Sequence, residues 1–535
     1  HYSVEIMKIL LTTITICVAT ALSAQNNYKR IHNEMLDQAK DALDHDDLEE
    51  AAKLYKRLLP VDTTFSPVYY EMGMCMIHMP GQKDKAAAMF EHAARHGHIE
   101  AIYELGMARH RQQRFDQALD LFTSYKSLKM RERNDVEVER QLAMVTKAKE
   151  MVRQPLELEI RNMGSMVNSE AHDYCPLVTA DGNTMFFTSR RSGTTGGLKD
   201  PSGQWFEDIY SAKRIDEIWT NAVNAGPSLN SMVHDATVGL SPDGSSMIIY
   251  RTQKNLVSGD LYEARMHSRE WQLPELMTDK INSTAHEPSA SIAPGGDEIY
   301  FTSDREGGHG GRDIYRIRRL PNNEWSMPLN LGPTINTEYD EDAPFIHSDG
   351  TTLFFSSNGH NTMGGYDIFK SVLLDPDMNG WGTAENMGYP LNTVNDDIYF
   401  CLSEDGYTGY FSSERPGGMG MQDIYQVVFP GSQLNYVVVR GVVADASDDP
   451  LRARIILTDM TGEEILGVYN SNQTTGRYLM VLEPGHRYKI AVEASGYATY
   501  ASEIHAKAVI SDTREMPFDI LMMPGGASAG ISKND

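Results

Sequence analysis

The run NTEYDEDAPFIHSDGTTLFFSSNGHNTMGGYDIF, residues 336–369, sets the pattern for half of the chain. It reads as an Asn, an acid five residues on, an Asp-Gly turn, a short apolar strand and an Asp-Ile-aromatic strand. Working outward, the same order occurs five times between residues 168 and 425. The turn glycines are Gly182, Gly244, Gly296, Gly350 and Gly406. The second marker opens at Asp208, Asp260, Asp313, Asp367 and Asp423, and successive markers lie 52 to 62 residues apart. Asp-Gly between two apolar runs is a tight-turn signal, because Gly supplies a positive φ and Asp caps neighbouring amides. Asp181, Asp243, Asp349 and Asp405 take that capping role. The third copy reads Gly295-Gly296, which suits a turn and nothing else.

A repeat of this length matches a four-stranded propeller blade with room for loops. Five copies predict a five-bladed β-propeller over residues 155–430. Trp219, Trp271, Trp325 and Trp381 each precede the next repeat's Asn by 11 residues and open the last strand of a blade. The fifth copy lacks that strand, since Phe429-Pro430-Gly431 leads into different sequence. Leu156 to Gly164 stands before Asn168 as Leu331-Gly332 stands before Asn336, so an N-terminal strand is expected to complete the fifth blade. Closure of this kind removes two exposed sheet edges. Arg191, Arg305 and Arg415 follow the strand's Ser by two residues and are expected to pair with Asp208, Asp313 and Asp423.

The chain has 535 residues, a length that asks for several domains, and a net charge of −26. That charge argues against sequence-independent nucleic-acid binding, which needs a basic face. Met7-Lys8 followed by the apolar run Ile9 to Ala24 reads as a secretory signal peptide cleaved before Gln25, too short to prefer a membrane span. Residues 1–24 are thus upstream sequence and signal, and no transmembrane segment is expected after its removal. Cys75, Cys175 and Cys401 make no disulfide framework and are expected as buried apolar residues.

Residues 25–152 show apolar positions at helical spacing. Met72-Gly73 and Leu105-Gly106 recur, as do Ala51…Tyr55, Ala86…Phe90 and Ala118…Phe122, a small-x₃-aromatic pattern that lets helices approach. This resembles about three tetratricopeptide repeats. Residues 435–523 carry short alternating strands between turn residues, the signature of a small β-sandwich. Gly441-Val442-Val443, Gly476-Arg477-Tyr478, Pro484-Gly485-His486-Arg487-Tyr488 and Gly496-Tyr497 resemble the carboxypeptidase-regulatory-like domain. Residues 524–535 are Gly/Ser-rich and expected as a disordered tail.

The acids after each Asn are Asp173, Asp235, Glu287, Glu341 and Asp397, with His172, His234 and His286 beside three of them. They could line the central channel as a metal or cation site or serve each blade's own turn, and the fivefold repetition favours the turn. His92 and His96 share a helix face but lack a third ligand nearby. Gly526 to Gly530 matches G-x-S-x-G without the strand, helix, Asp and His that a serine nucleophile needs. No catalytic residue, metal or cofactor is therefore predicted. Glycine-rich loops at 192–205, 307–312, 359–365 and 417–421 fall between the same two strands of their blades. They are expected to cluster on one face as a partner-binding surface. Arg191, Lys199, His309 and Arg312 belong to it, with His360, Met363, Met419 and Met421.

The order of signal peptide, tetratricopeptide-like helices, propeller and carboxypeptidase-regulatory-like sandwich resembles a periplasmic family of Bacteroidota that includes a type IX secretion component. The blades alone are similar to the TolB-type, WD-repeat-like propeller. That family usually ends in an OmpA-like domain gripping peptidoglycan, which does not follow here, so cell-wall anchoring is not carried over. The overall expectation is a multidomain α plus all-β chain in the periplasm, associated with the outer membrane. The resemblance implies a non-enzymatic scaffold whose partners are envelope proteins. The alternative is a peptide- or glycan-recognition protein that uses the propeller face or channel.

Overall fold

A computed structural model describes residues 30–525 apart from 46, 80, 180, 201–202, 217, 257, 376–378, 404–405, 431–436, 462–464, 483–485 and 507–514. The signal peptide, the tail from 526 onward, and Asp405 lie outside the described residues. Among these residues no helix is long and apolar enough to cross a membrane.

The first part is helical: α1 (Arg30–Asp44), α2 (Leu48–Leu58), α3 (Ser66–His78), α4 (Ala86–Arg95), α5 (Ile99–Arg111), α6 (Phe115–Lys126) and α7 (Asp135–Arg153). Local chemistry starts them. Asp47 accepts the Glu50 amide at 3.1 Å, Pro67 sits in the first turn of α3, and Asn134 with Glu137 forms a capping box on α7. The recurring glycines receive the aromatics of the following helix. A Cβ on Gly73 would lie 2.5 Å from the Phe90 ring, and one on Gly106 would lie 2.9 Å from Phe122. The small-x₃-aromatic spacing thus encodes how successive helices interlock.

Residues 159–428 form five antiparallel sheets. Each begins with three consecutive strands: Asp173–Val178, Thr184–Ser189, Asp208–Ile215; Asp235–Leu240, Ser246–Thr252, Gly259–His267; Ala290–Ile292, Glu298–Ser303, Asp313–Arg318; Glu341–Ile346, Thr352–Ser357, Asp367–Asp375; and Asp397–Leu402, Thr408–Ser413, Asp423–Val428. The strand Glu159–Asn162 pairs with Asp423–Val428 in the register Glu159↔Val428, so the start of this region joins its end. The first strands touch one another in a cycle, the last of them against Asp173–Val178. This is a propeller-like all-β arrangement. The turn glycines at 182, 244, 296, 350 and 406 all take φ between 66° and 72°, as the Asp-Gly reading requires. Asp181, Asp243 and Asp349 accept amides of their own turns, at Asn183, Ser245 and Thr351. Of the four tryptophans only Trp381 is buried; Trp219, Trp271 and Trp325 are half-buried.

The Asn of each repeat has a structural purpose. Asn230 accepts the Ile209 amide and donates to the Ile209 carbonyl, at 2.8 and 2.9 Å. Asn282 does the same to Leu261, Asn336 to Ile314 and Asn392 to Ile368. Asn168 does so to Ile424, across the seam. Each Asn therefore clasps the Asp-Ile-Tyr strand before it, giving the amide an acceptor and the carbonyl a second donor beside a backbone amide such as that of Ala225 at Ile209.

The last part packs two sheets, one around Val437–Asp445 and one around Arg454–Thr458 and Arg487–Glu493, over a core that includes Val443, Ile455, Met480 and Ile490. It lies against the Asp-Gly end of the propeller-like sheets, where Arg452 pairs with Asp297 at 2.6 Å. The helices lie against the other end. Lys83 pairs with Glu414 at 2.8 Å, and Met363 and Val394 join a core with Tyr103, Phe122 and Val145.

Candidate functional site

The loops at the helical end are shaped from below by the repeated aspartates. Asp208 accepts the Thr195 amide and hydroxyl, Asp313 accepts the amides of His309 and Gly310, and Asp423 those of Met419 and Gly420. Asp367 accepts the Met363 amide at 2.8 Å, and Asp260 accepts Gln253 Nε2 at 3.2 Å. Asp208, Asp313, Asp367 and Asp423 are buried and fix loop geometry from within, whereas Asp260 is only half-buried.

The arginines pair otherwise than expected. Arg191 binds Asp173, Arg305 binds Glu287, and Arg415 binds Asp397, not the Asp208, Asp313 and Asp423 of the same repeats. The reason is register: Asp173 lies opposite Ser189, so an arginine two residues past that Ser returns to the first strand. In the second sheet Arg251 reaches Asp235 from a different position. The five acids also accept the hydroxyls of Ser169, Ser231, Ser283, Thr337 and Thr393. They serve their own sheets. Among the described residues no group of three or more His, Cys, Asp or Glu is placed to hold a metal.

The fourth sheet departs from this plan. Gly359 stands where the arginine would be, and a Cβ there would lie 2.0 Å from Thr337 Oγ1. His360 Nε2 donates to the Ile335 carbonyl at 2.7 Å, a cap that arginine supplies elsewhere. Glu341 is fully buried and meets only neutral donors: the Thr337 amide at 2.6 Å, its hydroxyl at 2.8 Å, and the Ser357 hydroxyl at 2.6 Å. Burial pushes its carboxyl up to about 7. A carboxyl raised in the folded state contributes least when ionised, so stability falls as pH rises from the ordinary glutamate range through about 7. Glu341→Gln is therefore expected to stabilise the chain by about 2 kcal/mol at pH 8 and by little at pH 5. Denaturant titrations at the two pH values check this; an equal effect at both would refute it.

A groove of about 1130 Å³ opens beside this irregular sheet, between α7 and the loops of the third and fourth sheets. Val136, Glu139, Ala143, Lys147 and Glu150 line it from the helix, and His309, Asn336, Thr337, Tyr339, His360 and Asn361 from the loops. Arg140 ties the two walls together. Its guanidinium lies 3.7 Å over the Tyr339 ring and donates to the Asn358 carbonyl. The central channel, by contrast, encloses only about 40 Å³ among Cys175, Leu177, Val238, Ser289, Phe345 and Cys401. That volume holds about one water, far below the several hundred Å³ of ordinary ligand sites. Cys75, Cys175 and Cys401 are all buried thiols without disulfides.

The expected partner face is only partly open. His309 and His360 line the groove. Lys199 is exposed, 5.1 Å over the Trp205 ring, and Met419 is exposed while Met421 is half-buried. Met363 is buried under the chain's own helices, so it presents nothing to a partner. Arg191 is held by Asp173 between Phe187 and Tyr210, and Arg312 by Asp342 and Tyr366. Both work within the fold. The contribution of α7 escaped the sequence reading, because nothing in residues 135–153 signals that one face will look onto loops two hundred residues away.

No family model matches the chain, and no curated protein matches it. The tetratricopeptide, carboxypeptidase-regulatory and secretion-component resemblances thus have no support from those comparisons. Solved structures do match. An endo-arabinase from Bacteroides thetaiotaomicron is 14% identical over 51% of this chain and 97% of that one, with a TM-score of 0.34. A glycosyl hydrolase from Bacteroides ovatus is 10% identical over 49% and 85%, with a TM-score of 0.35. The RS223 β-xylosidase is 12% identical over 50% and 94%, with a TM-score of 0.33. All three names are those of enzymes, and on that finding the expectation that this chain is not an enzyme is overturned.

Proposed function

We propose that the chain is a recognition protein that holds an extended polymer, a peptide or a glycan, in the groove between α7 and the loops of the third and fourth sheets. The groove itself carries this reading: its volume exceeds that of ordinary small-molecule sites, and its walls mix apolar, amide, hydroxyl and charged groups. The channel is too small to share the work. Residues 25–152, 155–430 and 435–523 act in this reading as three domains, the middle one a five-bladed propeller that keeps the loops rigid. An envelope protein offering an unfolded segment in the periplasm is one source of such a peptide, and the same groove would take it.

Ala143 is exposed on the groove wall. Ala143→Trp fills the groove without touching the core and is expected to weaken binding at least about tenfold, or about 1.4 kcal/mol. Glycan and peptide arrays probed with the full chain name the polymer, and titration of a hit against the variant locates it. Absence of ligands from both arrays, or a hit that the variant binds unchanged, would sink this reading.

A further inference from the structure

At the opposite end of the sheets, the Asp-Gly turn of the third sheet faces the C-terminal sheets across a cleft of about 320 Å³. Four arginines line it. Arg318 and Arg319 end the propeller-like strand Asp313–Arg318 and follow it; Arg452 and Arg454 lead into and open the strand Arg454–Thr458. Two carboxylates, Asp297 and Glu298, line it as well. Arg452 Nη2 donates to Asp297 Oδ2 at 2.6 Å, and Arg318 pairs with Glu298. Both carboxylates are thereby matched, and two guanidinium groups are left over. Arg319 lies 4.2 Å over the Trp325 ring and donates to the Asn323 carbonyl at 3.1 Å. It makes no ion pair among the described residues. Exposed Arg454 makes none either. Burial lowers the pKa of Arg319; nearby Glu263 opposes the shift, and Arg265 and Arg452 add to it.

This gathering is out of keeping with a chain of net charge −26. Docking the two parts would need no more than the Arg452–Asp297 pair. Instead, unmatched cations from both sides converge, which repels the two walls unless an anion joins them. Guanidinium forks match the paired oxygens of a tetrahedral oxyanion, and two forks from opposite walls can hold one between them. We propose that this cleft is an oxyanion site, taking a phosphate group clamped between Arg319 and Arg454. The site is separate from the groove and does not rest on the reading given for it.

Isothermal titration of the full chain with inorganic phosphate, and with glycerol phosphate, tests this at constant ionic strength set by chloride. One saturable site is expected. Its affinity should fall at least about tenfold in Arg454→Gln and in Arg319→Gln, a loss of about 1.4 kcal/mol, while Arg487→Gln, an exposed arginine elsewhere in the same part, should bind as the parent does. Tighter binding of glycerol phosphate would identify an ester as the ligand, and equal binding the free anion; both support the site. No saturable heat with either compound, or unchanged affinity in both variants, overturns it. Arg454 is exposed, so its replacement leaves folding intact, and circular dichroism checks that directly.

Discussion

Arg415→Ala is expected to destabilise the chain by about 3–5 kcal/mol. Its guanidinium donates to Asp397 Oδ1 at 2.7 Å, to Ser413 Oγ at 3.0 Å, and to the carbonyls of Pro390 and Leu391 at 3.2 and 2.7 Å. It lies against the rings of Phe411 and Tyr425, at 4.8 and 5.0 Å. Asp397 is fully buried. Removing the arginine strands that carboxylate with only the Thr393 amide and hydroxyl, and frees two carbonyls whose partners are lost. An unpaired buried charge is far worse than no charge at all, so Arg415→Ala combined with Asp397→Asn should recover part of the loss. Denaturant titration of the two single variants and the double measures the coupling. A single variant within about 1 kcal/mol of the parent, or a double variant no better than additive, would refute the pairing. Arg415→Lys should also be poor, since an ammonium cannot reach acid, hydroxyl and two carbonyls together.

The same arginines show where the sequence could be read and where it could not. The Asp-Gly turns, the repeat spacing and the strand borrowed from residues 159–162 were legible, because each depends on chain-local chemistry or on comparing one copy with the next. The arginine partner was not. Arg191 stands nearer in sequence to Asp208 than to Asp173, and only the antiparallel register of Asp173 with Ser189 decides between them. What covers the glycine-rich loops was not legible either. Met363 looks free in a glycine-rich loop, and only the packing of α5 to α7 over it buries the side chain. The groove needs α7 and residues 336–361 together, and the arginine cleft needs the doublets Arg318-Arg319 and Arg452-x-Arg454 together. Both are products of how separate parts dock, a level at which repeat spacing and local pattern are silent. The fourth copy offered a usable signal: Gly359 in place of arginine marks the one sheet whose acid has neutral partners alone.

Asn168→Ala is expected to be the most damaging change among the five clasps, by about 3 kcal/mol or more. Asn168 accepts the Ile424 amide at 2.9 Å, donates to the Ile424 carbonyl at 2.9 Å and donates to Asn162 Oδ1 at 3.0 Å. It is 2% exposed, so water cannot replace those bonds without opening the site. Asn230→Ala removes the same set at Ile209 and Asn224 and serves as the local control. The difference lies in what each clasp joins. Asn230 holds strands that follow closely along the chain, whereas Asn168 holds partners 256 residues apart. The strand it secures is short: Glu159–Asn162 pairs with Asp423–Val428 over four residues, helped by the Met163 amide on the Ile424 carbonyl and by Asn162 Nδ2 on Asp423. Loss of the clasp should therefore let that short strand leave, exposing a sheet edge able to pair with another chain. Hydrogen exchange would show this as lost protection at residues 159–162 and 423–428, with the helical part still protected, and as aggregation that grows with concentration. If Asn168→Ala loses no more stability than Asn230→Ala and the seam amides stay protected, the seam is not the weak point of the ring. Closure would then reside in the side-chain core that Ile160, Phe411, Tyr425 and Val427 share.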